Sequence, residues 1–141
     1  MTYVSIECDG DWMLNNRHCY LLNRTKLSWP DAKSECTRCG AYLVEIKNED
    51  ENKWIEEYLL QDVFCRSKYE CTSWIGGTDI ETEGQFVWGH SKTPFTYTNW
   101  DFINPNDFQY SIKIRDCVDM FYNGQWNDRA CHFLANFICE K

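Results

Sequence analysis

Residues Trp100 to Cys139 read WDFINPNDFQYSIKIRDCVDMFYNGQWNDRACHFLANFIC, and this stretch decides how the rest of the chain is read. Two short pieces in it carry amide and carboxylate oxygens. One is Asn104-Pro105-Asn106; the other is Trp126-Asn127-Asp128, set between Cys117 and Cys131. A proline and a tryptophan beside these oxygens hold the backbone still, and such a cluster suits a hard cation or a polyol. Between the two pieces stands Arg115, a fixed positive charge.

Outward from there the pattern is strand-like. Cys117-Val118-Asp119-Met120-Phe121 alternates, and Phe137-Ile138-Cys139 closes the chain. Upstream, Trp74-Ile75-Gly76-Gly77 reads as a buried strand whose glycines allow close backbone approach. Phe86-Val87-Trp88 follows a Glu83-Gly84 turn. The first half differs. Residues 8–22 read as a hairpin with Asn15 and Asn16 in the turn. Ser28 reads as the N-cap of a helix with Pro30 and Asp31 in its first turn, Trp29, Ala32 and Cys36 on one side, and Gly40 at its end. Leu43 to Ile46 reads as a short strand. Asn48 starts a second helix whose acidic first turn, Glu49 to Glu51, suits the positive helix end. Trp54, Ile55, Tyr58 and Leu59 recur at helical spacing and face the core. Two helices followed by strands and long loops predict an α+β fold, read as a single domain over residues 1–141.

The chain has 141 residues, enough for one domain with a real core. Its formal charge of -8 argues against nucleic acid and acidic lipid as partners. No apolar run is long enough to span a membrane, and the start carries no signal-like stretch, so Met1 is read as opening a mature or expressed form. Nine cysteines in so short a chain point to an oxidising compartment, hence secretion, and an odd count leaves at least one without an intrachain partner. Asn23-Arg24-Thr25 is a glycosylation sequon.

Taken in order, Trp74-Ile75-Gly76-Gly77, Thr82-Glu83-Gly84-Gln85-Phe86, Asn99-Trp100, Asn104-Pro105-Asn106, Asp116-Cys117-Val118, Trp126-Asn127-Asp128 and Phe137-Ile138-Cys139-Glu140 resemble the C-type lectin-like domain family. The resemblance runs from Cys8 to Cys139 and looks most like small secreted lectins of molluscs and other invertebrates. It implies two helices, two small antiparallel sheets and a long loop region carrying the ligand site. It also implies disulfides Cys36–Cys139, Cys117–Cys131 and Cys8–Cys19; Cys65 and Cys71 could bridge each other, which leaves Cys39. Cys39 lies one helical turn from an inward-pointing Cys36, so it could join two chains as a homodimer.

In the sugar-binding members that this chain resembles, a calcium ion is held by the first and third residues of a Glu-Pro-Asn-type triplet, by a Glu before Asp-Cys, and by the Asn-Asp of Trp-Asn-Asp. Here Asn104 replaces the first of these and Arg115 the Glu, while Asn106, Asn127 and Asp128 match. Adding calcium to Asp128 and Arg115 would leave a net charge of about +2 in a small space, at a cost of several kcal/mol. Calcium also wants six to eight oxygens, several of them charged. The sugar site is therefore read as needing no cofactor. Arg115 presents a planar fork of donors to two vicinal hydroxyls, while Asp128, Asn106 and Asn127 accept from and orient them. Two or three charge-assisted bonds of roughly 1.5–3 kcal/mol each, less the binding entropy, give an affinity on the order of millimolar. The bland alternative pairs Arg115 with Asp107 or Asp116 as a surface arginine. A third-position Asn106 points to mannose-type glycans as the partner.

The resemblance also implies an auxiliary structural calcium at Asp79, Glu83, Asp107 and Asp116; the alternative is that Asp79 and Glu83 shape a turn. Cys36-Thr37-Arg38-Cys39 has a redox or zinc spacing, but in a cysteine-rich secreted chain it reads as a disulfide partner plus one thiol. His18, His90 and His132 form no catalytic constellation, so no enzyme is expected. Two other readings stay open: a calcium-dependent lectin, and a module of the same fold that binds mineral or protein.

Overall fold

The computed structural model describes residues 6–61, 65–67, 69–101 and 116–141. Asn104, Asn106, Asp107 and Arg115 lie outside the described residues. The elements are β1 (Met13–Asn15), β2 (His18–Leu27), α1 (Trp29–Arg38), β3 (Tyr42–Leu43), α2 (Glu49–Tyr58), β4 (Thr72–Thr78), β5 (Val87–Trp88), β6 (Asp116–Phe121), β7 (Trp126–Ala130) and β8 (Ala135–Glu140).

The local signals mostly act as expected. Ser28 accepts a bond from the Asp31 N–H, and Pro30 sits in the first turn of α1. The helix ends in a Schellman motif: Ala41 N–H reaches Cys36 O and Gly40 N–H reaches Thr37 O, with Gly40 at φ +72. Asn48 caps α2 by accepting from Glu51 N–H. The β1–β2 turn is shifted by one residue. Asn15 is the last residue of β1, and Asn16 and Arg17 make the turn, both at positive φ. That is the two-residue hairpin loop whose twist matches the strands. The strand expected over Leu43–Ile46 joins the ladder only at Tyr42–Leu43; Val44 continues it through single bonds to Ile138 O and from Gly76 N–H.

The strands run in the order β1-β2-β8-β4-β6-β7, with β3 on β8 and β5 on β4. The two antiparallel groups are present and are joined by a short parallel seam, Ser73↔Asn136 and Trp74↔Phe137. Every residue of β4, β6 and β8 is buried. The alternation in β6 therefore does not separate core from solvent. Val118 and Met120 join a core with Ile55, Trp88 and Trp126, whereas Cys117 joins the α1-side core with Trp29, Trp74 and Phe137. Gly76 fits between these layers only because it has no side chain; a Cβ there would lie 2.7 Å from Leu43 O.

The core face of α2 is corrected in part. Ile55 and Leu59 are buried and Trp54 is partly so, but Tyr58 is 57% exposed and Asn52 only 2%. Tyr58 is the last residue of the helix, and its ring lies against Trp54 at a centroid distance of 5.7 Å. Asn52 is buried because it is fully used, as described below. Four disulfides form, Cys8–Cys19, Cys36–Cys139, Cys65–Cys71 and Cys117–Cys131, and Cys39 is left as a partly exposed thiol.

Candidate functional site

Trp126-Asn127-Asp128 opens β7, and Trp126 is what fixes it. The ring is wholly buried and meets Trp88, Phe95, Tyr97 and Trp100 edge-on, at centroid distances of 5.6, 5.6, 5.8 and 5.9 Å. Its Nε1 donates to Asn52 Oδ1 at 2.8 Å, and Asn52 Nδ2 donates to Gly124 O at 3.0 Å. One amide thus ties α2 to both the ring and the turn before it. The chain from Asn99 to Asp101 lies along Trp126: Trp126 N–H reaches Asn99 O, and Asp101 N–H reaches Trp126 O, each at 2.8 Å. At the other end of β7, Asp116 pairs with Ala130. Both flanks of the segment that carries Asn104, Asn106 and Arg115 therefore border β7.

Asn127 and Asp128 are 7% and 6% exposed. Asp128 stands opposite Val118 of β6, next to the Asn127–Asp119 pair. Asn127 stands opposite Asp119 of β6, and its Nδ2 donates to Asp119 Oδ1 at 2.9 Å. Arg129 Nε donates to Asp119 Oδ2 at 2.8 Å. The Arg129 guanidinium also lies 4.0 Å from the centroid of the Phe133 ring. Asp119 itself is fully buried. Burial holds its carboxyl above the usual value, and Arg129, Thr72 and Asn127 offset only part of that rise. Sequence reading missed Asn52, Asp119 and Arg129. The signal for Asp119 was present: an acid inside a buried strand pattern requires a cationic or donor partner.

Asp79 and Asp116 come together, but through the backbone. Asp79 Oδ1 accepts from Asp116 N–H at 2.9 Å and Oδ2 from Gly84 N–H at 3.0 Å. Asp79 is buried, which raises its carboxyl above the usual value, and Glu83 beside it adds to that rise; the two backbone donors oppose it. Asp107 is outside the described residues. Among the described residues no group of three or more His, Cys, Asp or Glu is arranged to hold a metal ion. In the described part of this cluster, Asp79 ties the turn at Gly84 to the start of β6 through these two N–H groups.

A polar cavity of about 320 Å³ lies elsewhere, where the β1–β2 hairpin meets the start of α2 and the end of β8. His18, Tyr20, Glu51 and Glu140 line it. The three histidines are apart in role: His18 meets Glu140, His90 stacks on Tyr42 at 4.2 Å, and His132 is exposed.

Residues 25–141 match the family model described as the Lectin C-type domain. The chain belongs to the C-type lectin domain family. It is 33% identical to lectin BRA-3 of Megabalanus rosa, over 99% of this chain and 82% of that protein. It is also 33% identical to C-type mannose receptor 2 of Mus musculus, over 99% of this chain; the chain spans only 9% of that receptor's length. Among solved structures, the mouse scavenger receptor C-type lectin carbohydrate-recognition domain superposes with a TM-score of 0.82 at 31% identity, covering 96% of this chain and 98% of that one. Its four-disulfide α+β fold is thus that of a C-type lectin carbohydrate-recognition domain.

Proposed function

We propose that this C-type lectin domain binds mannose-type glycans directly, with Arg115 as the anchor and no calcium at the sugar site. The observation that carries this reading is the rigid presentation of Asn127 and Asp128 on β7, with both flanks of the Arg115 segment beside them. Arg115 donates to two ring hydroxyls; Asn104, Asn106, Asn127 and Asp128 orient those hydroxyls and accept from them. The loss of two carboxylates and the gain of a cation disfavour an ion at that point. The domain acts as a binding module and not as an enzyme. Four disulfides suit an extracellular location. Among the described residues no helix is long and apolar enough to cross a membrane. Cys39, at the C-cap of α1, serves a homodimer that presents two sites, which raises the avidity of weak binding.

Isothermal titration with mannose, with and without calcium, tests the site. Arg115→Ala is expected to abolish measurable binding, because losing about 3 kcal/mol from a millimolar interaction leaves nothing to detect. Arg115→Lys is expected to fail as well, since a point charge does not reproduce the fork. Arg115→Glu should make any remaining binding calcium-dependent. Binding by Arg115→Ala equal to the parent would make the arginine a bystander. Complete elution from a mannose column by chelator alone would favour the calcium-dependent lectin instead.

A further inference from the structure

We propose that Asp119 is a positioning residue that locks the Asn127 amide so that only its carbonyl oxygen faces the ligand. This rests on Asn127 belonging to the sugar site. An ionised carboxylate accepts and cannot donate, so the edge of Asn127 that meets Asp119 Oδ1 at 2.9 Å must be its NH2. The other oxygen of Asp119 is taken by Arg129 Nε at 2.8 Å, so the carboxylate has a donor on each side. Asp119 is fully buried and sits across the ladder from Asn127, which leaves it no other place to turn. Both Asp119 oxygens face N–H donors, so the carboxyl acts as an acceptor on each side; Arg129 is 17% exposed and its guanidinium lies over the Phe133 ring. Asn127 is then an acceptor toward the ligand. A sugar hydroxyl that accepts from Arg115 can then donate its own hydrogen to Asn127, and an amide turned the other way would leave that hydrogen without this acceptor.

The chemistry of Asp119→Asn makes the test specific. The amide placed at position 119 would give its carbonyl to Arg129 Nε, which turns its own NH2 toward Asn127. Two NH2 groups cannot face each other, so Asn127 must flip and present a donor to the ligand. Adding Asn127→Asp removes the conflict: the new amide at position 119 donates to the new carboxylate at position 127, whose second oxygen restores the outward acceptor. In folded protein, Asp119→Asn is expected to weaken mannose binding about tenfold, and the double variant to return within about threefold of the parent. The Asn127 side-chain NH2 protons, followed by heteronuclear NMR without sugar, should exchange slowly in the parent and fast in Asp119→Asn. A general packing defect would not be repaired by Asn127→Asp. Fast exchange in the parent, unchanged exchange in the variant, or no recovery in the double variant would each overturn the proposal. The parent spectrum decides the matter if Asp119→Asn fails to fold. A parent that binds no mannose while Asn127 stays locked would sink the sugar reading and leave the positioning intact.

Discussion

Asp119 and Glu140 are both buried and burial raises both carboxyls, yet the fold gives them different partners. Asp119 lies between β4 and β7 with a guanidinium at 2.8 Å and an amide donor at 2.9 Å. Glu140, 3% exposed at the end of β8, has His18 Nδ1 at 2.9 Å and the Glu45 N–H at 3.1 Å, with the Glu45 and Glu51 carboxyls nearby. Burial, helped by Glu51 and Glu45 and opposed by the Glu45 N–H and Lys47, pushes Glu140 up to about 7. The difference is one of the cation supplied. An arginine stays charged at any working pH, so its partner can be held as an anion and used to orient a neighbour. A carboxyl without a permanent cation at contact distance is left to take up a proton. Beside the candidate site the fold supplies the permanent charge; at the far cavity it does not.

The largest effect expected is from Arg129→Met, which leaves Asp119 buried without its cation. Denaturant unfolding at pH 7 should show a loss of about 3–5 kcal/mol. The loss should shrink toward pH 4, where Asp119 takes up a proton in the variant. An unchanged midpoint at pH 7 would mean that Asn127 alone satisfies the carboxylate.

Glu140→Gln should act in the other direction and depend on pH. Folded Glu140 holds its proton up to about 7, whereas the unfolded group releases it near 4.5. The folded state therefore binds more protons in that window, and stability is present below 4.5 and lost as pH rises through about 7. The gap corresponds to a ceiling of about 3 kcal/mol. Gln keeps an acceptor for the Glu45 N–H, so the variant should match the parent near pH 4 and be more stable at pH 8, by about 1–3 kcal/mol. A difference that stays constant from pH 4 to pH 8 would show that Glu140 is not held protonated.

The smallest effect is from Tyr20→Phe. Tyr20 is buried and donates to Glu51 Oε2, and burial raises its phenol so that it remains a donor. Phe preserves the packing against Trp54, whose ring lies 4.9 Å away. The loss should be about 1.5 kcal/mol by thermal unfolding, which is the net value of one bond to a charged acceptor. A loss as large as that of Arg129→Met would place the weight of this region on Tyr20 and not on the carboxyl pair.

Features set by neighbours along the chain were legible in the sequence. Ser28 and Asn48 cap the helices, and Gly40 ends α1, because each acts on backbone groups within a few residues. Trp74 to Gly77 was legible as buried because all four positions are apolar or small. The cysteine count gave a free thiol; the pairing came from family resemblance, since spacing alone permits many connectivities. Trp126-Asn127-Asp128 could be singled out as candidate site residues because amide and carboxylate beside a tryptophan form a local signature. The tertiary structure alone settled that both faces of β6 are buried, that Asn52 and not Tyr58 turns inward, and that Asp119 meets Arg129 and Asn127. These depend on which strand lies beside which and which layer covers a helix. Such contacts join residues far apart along the chain, 74 positions for Asn52 and Trp126, and no local periodicity records them.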